Sequence, residues 1–267
     1  MKRTAVLIDG GFFIQRVEHF VRKFFGDALI LNSEHLSKLV HSATIKHISE
    51  STQKTPQREL YRTYFYDCPP FLEQKRYPLP EPGNKTPGTK NFKKHPPYVL
   101  RQEFHEKLRS MRKVALRMGE LSDGAGWQLN ADVLQDLLKG RRRWEDLGNE
   151  DFHYQFSQKA VDLKLGMDIT TIALGGHADV IVLVAGDSDF VPAAKLARTH
   201  GIDFVLDPMW QNCTAGLKEH VDNVRSFDVV AEISKISGVE PTKRPSWWKH
   251  EAPNKPPRKS KHSRRKA

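Results

Sequence analysis

The chain has 267 residues, a formal charge of +11 and 38% hydrophobic residues, enough to bury a core in one large domain. Cys68 and Cys213 are its only cysteines, far apart and without C-x-x-C spacing, which excludes a disulfide framework and a cysteine-based zinc site. No segment approaches the ~18 apolar residues of a membrane span, and the apolar run after Met1-Lys2-Arg3 breaks at Asp9, too early for a signal peptide. A soluble, reduced, cytoplasmic protein with no membrane partner is expected.

Residues 4–8 read as a short buried strand ending at Asp9, and Gly10-Gly11 turns the chain into a helical stretch near Phe13 to Phe25. A second strand, "LYRTYFYDC", is rich in aromatics and ends at Asp67-Cys68. Eight prolines from Pro69 to Pro97 mark 69–97 as a long irregular insertion. "RQEFHEKLRSMRK" sets Phe104, Leu108 and Met111 at helical spacing, and "VALRMGEL" follows as a strand. In "KAVDLKLGMDITTIALGG" the apolar residues at 161, 165, 169 and 172 make one helical face, stopped by Gly175-Gly176. Residues 180–185 form an all-apolar strand, "FVPAAKLARTHG" the helix after it, and "IDFVLDP" another strand. This alternation predicts an α/β, doubly wound fold with a parallel sheet covered on both faces, over a domain spanning 1–240.

Residues 241–267 hold ten Lys/Arg against one acid, Glu251, together with five prolines, so most of the net charge sits there. Such a composition buries too little surface to fold alone, and a disordered basic tail is expected. It serves either to contact nucleic-acid phosphates or merely to solubilise; Trp247-Trp248 favours binding, because indoles stack on unpaired bases.

In open parallel sheets, functional groups gather beyond the carboxyl ends of the strands, where strand order reverses. Asp9 ends the first strand, and Asp187 and Asp189 follow the strand at 180–185; if those strands are neighbours, three carboxylates converge. Asp162 and Asp168 add two more from the preceding helix. Crowded acids resist ionisation, and a bound cation relieves them; Mg²⁺ and Mn²⁺ prefer such oxygen ligands and support phosphodiester hydrolysis. Each acid also has a plain role: Asp9 as a turn residue, Asp162 as a helix N-cap, Asp189 as a cap near Phe190. Asp168 lies about 120° around an ideal helix from Asp162.

"VLIDGG", "KAVDLKLGMD" at 159–168 and "VLVAGDSDFVP" at 182–192 resemble, in order, three signatures of the NYN domain, LabA-like branch, of the PIN-like nuclease superfamily. The resemblance runs roughly from Thr4 to Val230, with the Pro-rich stretch and 120–155 matching poorly. It implies a PIN-like three-layer α/β/α sandwich and divalent-metal-dependent endoribonuclease activity with Mg²⁺ or Mn²⁺. By position, Asp9, Asp162 and Asp187 match the catalytic, metal-binding acids, and Asp168 and Asp189 supporting ones. Lys159 matches the lysine opening the family's K-G-V-D pattern, whereas Ala160 replaces its glycine and the Asn that often follows the first Asp-Gly is absent, with Phe12 in that region.

Further candidates for substrate contact are Lys159, by its place in the family pattern, Ser188, also readable as a turn residue, and the cluster Arg141, Arg142, Arg143 beside Trp144, also readable as a solvated loop; "KNFKKHPPY" has the same ambiguity. His177 reads as a loop residue. The expected function is hydrolysis of single-stranded or flexible RNA. A two-metal site does not by itself read the 2′-hydroxyl, so DNA stays open as a substrate, as does a homodimer. A catalytically weak RNA-binding regulator of the same fold is the main alternative. A haloacid-dehalogenase-like phosphohydrolase lacks its second aspartate, because Gly10 and Gly11 follow Asp9.

Overall fold

The computed structural model describes residues 1–49, 58–213 and 215–248. Strand β1 (Lys2–Asp9) leads into α1 (Gly10–Phe24) and α2 (Ser33–Ile48), then β2 (Arg58–Asp67). After the short β3 (Gln74–Arg76) and β4 (Thr89–Asn91) come α3 (Pro96–Ser110), β5 (Val114–Met118) and β6 (Glu120–Leu129). Helix α4 (Ala131–Leu138), β7 (Phe152–Lys159), α5 (Val161–Leu174) and β8 (Val180–Val184) follow. The chain ends with α6 (Val191–Thr199), β9 (Asp203–Asp207), α7 (Ala215–Glu219), β10 (Asn223–Val224) and α8 (Val229–Ser237).

Six strands form one sheet in the order β10-β9-β8-β1-β2-β5, and every pairing is parallel. Parallel strands need both faces covered, and the two-residue period sorts the core accordingly. Val6 and Ile8 of β1 and Val180, Val182 and Val184 of β8 pack with α1, α2, α3 and α8; Ala5, Leu7, Ile181 and Leu183 pack with α5 and α6. The result is an α/β fold with a central all-parallel sheet flanked by helices, as expected. The predicted face of α5, at 161, 165, 169 and 172, is buried.

Several elements were not anticipated. Helix α2 is capped by Asn32, whose side chain accepts from His35 N at 2.9 Å, and buries Leu36, Leu39, Val40 and Ala43. The Pro-rich stretch is only partly irregular: β3 and β4 pair as an antiparallel ribbon. The strand expected through "VALRMGEL" is two strands, because a Cβ at Gly119 would meet Lys159 O and the Val161 side chain at 2.6 Å, and β6 turns off to pair with β7. Both ribbons leave from the carboxyl edge of the main sheet, after β2 and β5. They pack together through Phe71, Phe92, Trp127, Tyr154 and Phe156.

The start of the basic segment is part of the fold. Thr242 N and Oγ1 donate to Phe24 O, and Trp247 packs edge-on against Phe20 and Phe24 while stacking on Trp210 at 4.4 Å. Trp247, expected to be available for bases, is thereby engaged by the core. The rest of the expected tail, 249–267, lies outside the described residues.

Candidate active site at the carboxyl edge of the sheet

Strand β1 runs on through α1 and α2 to β2 on one side, whereas β8 runs on through α6 to β9 on the other. The boundary between β1 and β8 is therefore the point at which strand order reverses, where α/β sheets open a crevice for ligands. The two strands pair in register from Thr4↔Val180 to Ile8↔Val184, which puts Asp9 and the 186–189 turn on the same edge.

Asp9 ends β1 and caps α1, accepting from Phe12 N at 3.1 Å. Two glycines make that junction: a Cβ at Gly10 would lie 2.5 Å from Tyr66 O and the Phe65 ring, and one at Gly186 would lie 2.6 Å from the Phe12 ring. Burial pushes the Asp9 carboxyl up to about 6, with the charges of Asp162 and Asp67 adding to the rise and the Phe12 and Gly11 N–H groups opposing it. Asp162, in the first turn of α5, is raised by desolvation and then by the charges of Asp187 and Asp189. Asp187 accepts from Asp189 N at 3.0 Å, opening a single 3₁₀ turn before α6. Asp162, Asp187, Ser188 and Asp189 are all exposed. Helices α1 and α5 thus begin at this edge, and their amino ends favour negative charge there.

Asp9 feels the charge of Asp162, and Asp162 that of Asp187 and Asp189, so the four acids share one edge without three of them closing on a common point among the described residues. Asp168 is placed differently. Its carboxylate accepts from Tyr66 OH at 2.8 Å and from Arg117 Nε at 3.0 Å, so it ties α5 to β2 and β5, and its charge with burial pushes the Tyr66 phenol up. Lys159 is exposed at the end of β7. Ala160, standing for a glycine, has φ +65°, the left-handed region that favours glycine.

The arginine cluster divides. Arg142 forms two bonds to Asp151, at 2.8 and 2.5 Å, which pin the 142–151 loop and engage this guanidinium within the fold. Arg141 makes a 3.6 Å surface pair with Asp136, and the Arg143 backbone closes the turn at Asp146. His177 lies beside Tyr61, rings parallel at 6.0 Å.

Two groups escaped the sequence reading. Asp67, at the end of β2 beside Asp9, is buried with His105 and Arg101: His105 Nε2 donates at 2.7 Å, Arg101 Nε at 2.7 Å, and Arg101 NH2 makes a further bond. Burial pushes its carboxyl up, but the His105 bond and the Arg101 charge outweigh this and hold it below the usual range. The strand end was visible; its partners, from a helix 34 and 38 residues later, were not. Gln158, at the base of β7, is the second: a Cβ on Gly11 would stand 3.5 Å from Asp9 Oδ1 and 4.0 Å from Gln158 Oε1.

The carboxylate set matches the ligand chemistry of a hard divalent cation, since Asp9 and Asp162 are both held above their ordinary pKa by burial and by neighbouring acids. Its arrangement is open: among the described residues, no three His, Cys, Asp or Glu side chains stand close enough to hold an ion between them. Mg²⁺ commonly keeps several waters and takes only one or two carboxylates, which such an open set can offer. Among the described residues no helix is long and apolar enough to cross a membrane.

Residues 140–223 match the NYN domain, a member of the PIN-like nuclease superfamily; the matched stretch includes Asp162, Asp187 and Asp189. An uncharacterised protein of Methanocaldococcus jannaschii, MJ0482, is 30% identical over 105 residues, 39% of this chain and 41% of that protein, so the chain spans about two-fifths of this relative's length. Among solved structures, VPA0982 of Vibrio parahaemolyticus, a protein of unknown function, is 14% identical with a TM-score of 0.39, covering 85% of this chain and 93% of that one. A Sir2 protein bound to a myristoylated histone peptide is 10% identical with a TM-score of 0.31, covering 89% and 93%. Superpositions this loose carry no argument about function.

Proposed function

We propose that this chain, with its NYN domain, is a divalent-metal-dependent endoribonuclease acting on single-stranded or flexible RNA. The observation that supports this most is that Asp9, Asp162, Asp187 and Asp189 share the edge at the reversal point between β1 and β8, close enough to raise the carboxyls of Asp9 and Asp162. Asp9, Asp162 and Asp187 would hold Mg²⁺ or Mn²⁺, with Asp189 supporting the turn that presents Asp187. A divalent ion there supplies charge neutralisation of the phosphodiester and acidifies water for attack. Burial raises the Asp9 carboxyl to about 6, so at neutral pH it stands as a desolvated anion that a cation would relieve. The amino ends of α1 and α5 favour the negative charge of a phosphate at the same edge. Lys159, exposed two residues before the start of α5, and Ser188 would meet phosphate oxygens. Asp168 stays outside this set, in its pair with Arg117 and Tyr66.

A second reading, a catalytically weak RNA-binding regulator, is favoured by one observation: no three ligands are pre-gathered among the described residues. Cleavage of end-labelled RNA and DNA with Mg²⁺, Mn²⁺ or chelator, wild type beside Asp187→Asn, separates the two. Metal-dependent cutting lost in the variant supports the nuclease. Binding without cutting under every condition supports the regulator.

A further inference from the structure

The two ribbons on the carboxyl edge build a surface the nuclease reading leaves unused. The β6–β7 ribbon has its base at Glu120↔Lys159, where the chain enters α5 and Asp162, and reaches Leu129↔Phe152 at its far end. Near that end Tyr77 lies on Trp127, centroids 5.6 Å apart and 28° from parallel. Trp127 is held from behind by Tyr154, edge-on at 5.2 Å, and its Nε1 donates to Arg76 O at 2.6 Å. Tyr77 is half-exposed and has no second ring partner among the described residues. Trp127 thus fixes the Tyr77 ring, which keeps part of its surface exposed.

Between residues 77 and 95 four lysines stand against one acid, Glu81. Lys90 sits over both Phe92 and Trp127, at 5.2 and 5.6 Å, and Lys85, Lys93 and Lys94 are exposed on the same stretch. None of these four lysines has a carboxylate partner among the described residues, whereas Lys75 on β3 is paired with Asp123 and Glu73. Unpaired cations bordering a rigid aromatic face are what a single nucleic-acid strand needs: phosphates meet the lysines and a base stacks on the ring.

We propose that the two-ribbon module is a platform for single-stranded nucleic acid, with Tyr77 receiving a base and Lys85, Lys90, Lys93 and Lys94 meeting the backbone. The β6–β7 ribbon joins this surface to the turn that enters α5 before Asp162, the course a strand held there would follow. The platform rests on the nuclease reading only for the fate of the strand; the binding itself stands apart from it.

The test is fluorescence anisotropy with a fluorescein-labelled oligo(A) RNA of about 12 nucleotides, a length within known single-strand site sizes, in chelator so that nothing is cut. Tyr77→Ala is expected to weaken binding between about 5-fold and 100-fold, the loss of one stacked base. Tyr77→Phe, which keeps the ring, should bind as the wild type does and serves as the control for folding. Replacing Lys90, Lys93 and Lys94 together by Gln should make the salt dependence shallower by about 2 in logarithmic slope. Wild-type affinity and slope in both Tyr77→Ala and the triple variant would overturn the platform, as would no binding by the wild type. Platform-dependent binding by a wild type that never cuts retains the platform and removes the nuclease.

Discussion

Replacing Asp9 by Asn should make the protein more stable while removing its activity. Folding buries the carboxyl and raises its pKa from 3.8 to about 6. Between those values the native state binds more protons than the unfolded chain, so stability falls as pH rises through that window and the whole deficit is present above it. At 1.36 kcal/mol per unit, the ionised group costs up to about 3 kcal/mol at neutral pH. Asn keeps the cap on α1, because it too accepts from Phe12 N, and carries no charge. Urea melts in chelator should show the variant more stable by about 2–3 kcal/mol at pH 7.5, with the gain shrinking toward zero near pH 4. Mg²⁺ or Mn²⁺ should raise the wild-type midpoint and leave the variant's alone, since only a native-state ligand stabilises. A variant less stable than the wild type at pH 7.5, or a gain that does not change with pH, would refute the electrostatic reasoning.

Three other outcomes follow from the packing. Ala160→Gly should stabilise by about 1 kcal/mol in a urea melt, because φ +65° strains alanine and suits glycine. Asp67→Asn should cost about 3 kcal/mol by leaving Arg101 and His105 without their buried counter-charge, measured at pH 7; since the wild-type carboxyl is held low, that contribution is present above pH ~4 and fades as pH falls through its depressed pKa. Ending the chain after Trp248 should leave the melting midpoint unchanged and flatten the salt dependence of RNA binding, whereas ending it after Glu240 should also cost about 2 kcal/mol, because Trp247 no longer covers Phe20 and Phe24.

The site was legible where chemistry and local pattern coincide. An all-apolar run that gives way to Asp and Gly announces a buried strand and the turn at its carboxyl end, and this placed Asp9, Asp187 and Asp189 on one edge of the sheet. The α5 face was equally plain from its spacing. Long-range pairing was not legible: nothing near Asp67 announces Arg101 and His105, and nothing near Asp168 announces Tyr66 and Arg117. Arg142 reads as a free cation until Asp151 folds back on it. Helix α2 hid behind its Ser, His and Thr content, because half of its buried residues, Ser33, Ser37, Thr44 and His47, are polar. The β6–β7 ribbon hid behind Gly124 and Gly126, where its register shifts. Trp247 looked like part of a charged tail because its partners, Phe20, Phe24 and Trp210, lie far away in sequence.

The most direct test is single-turnover cleavage of end-labelled RNA by Asp9→Asn, Asp162→Asn, Asp187→Asn and Asp168→Asn side by side, each in Mn²⁺. The account predicts a loss of at least about 100-fold for the first three and near-wild-type cleavage for Asp168→Asn, whose carboxylate serves the helix–sheet contact. Equal losses in all four, or a loss confined to Asp168→Asn, would contradict it.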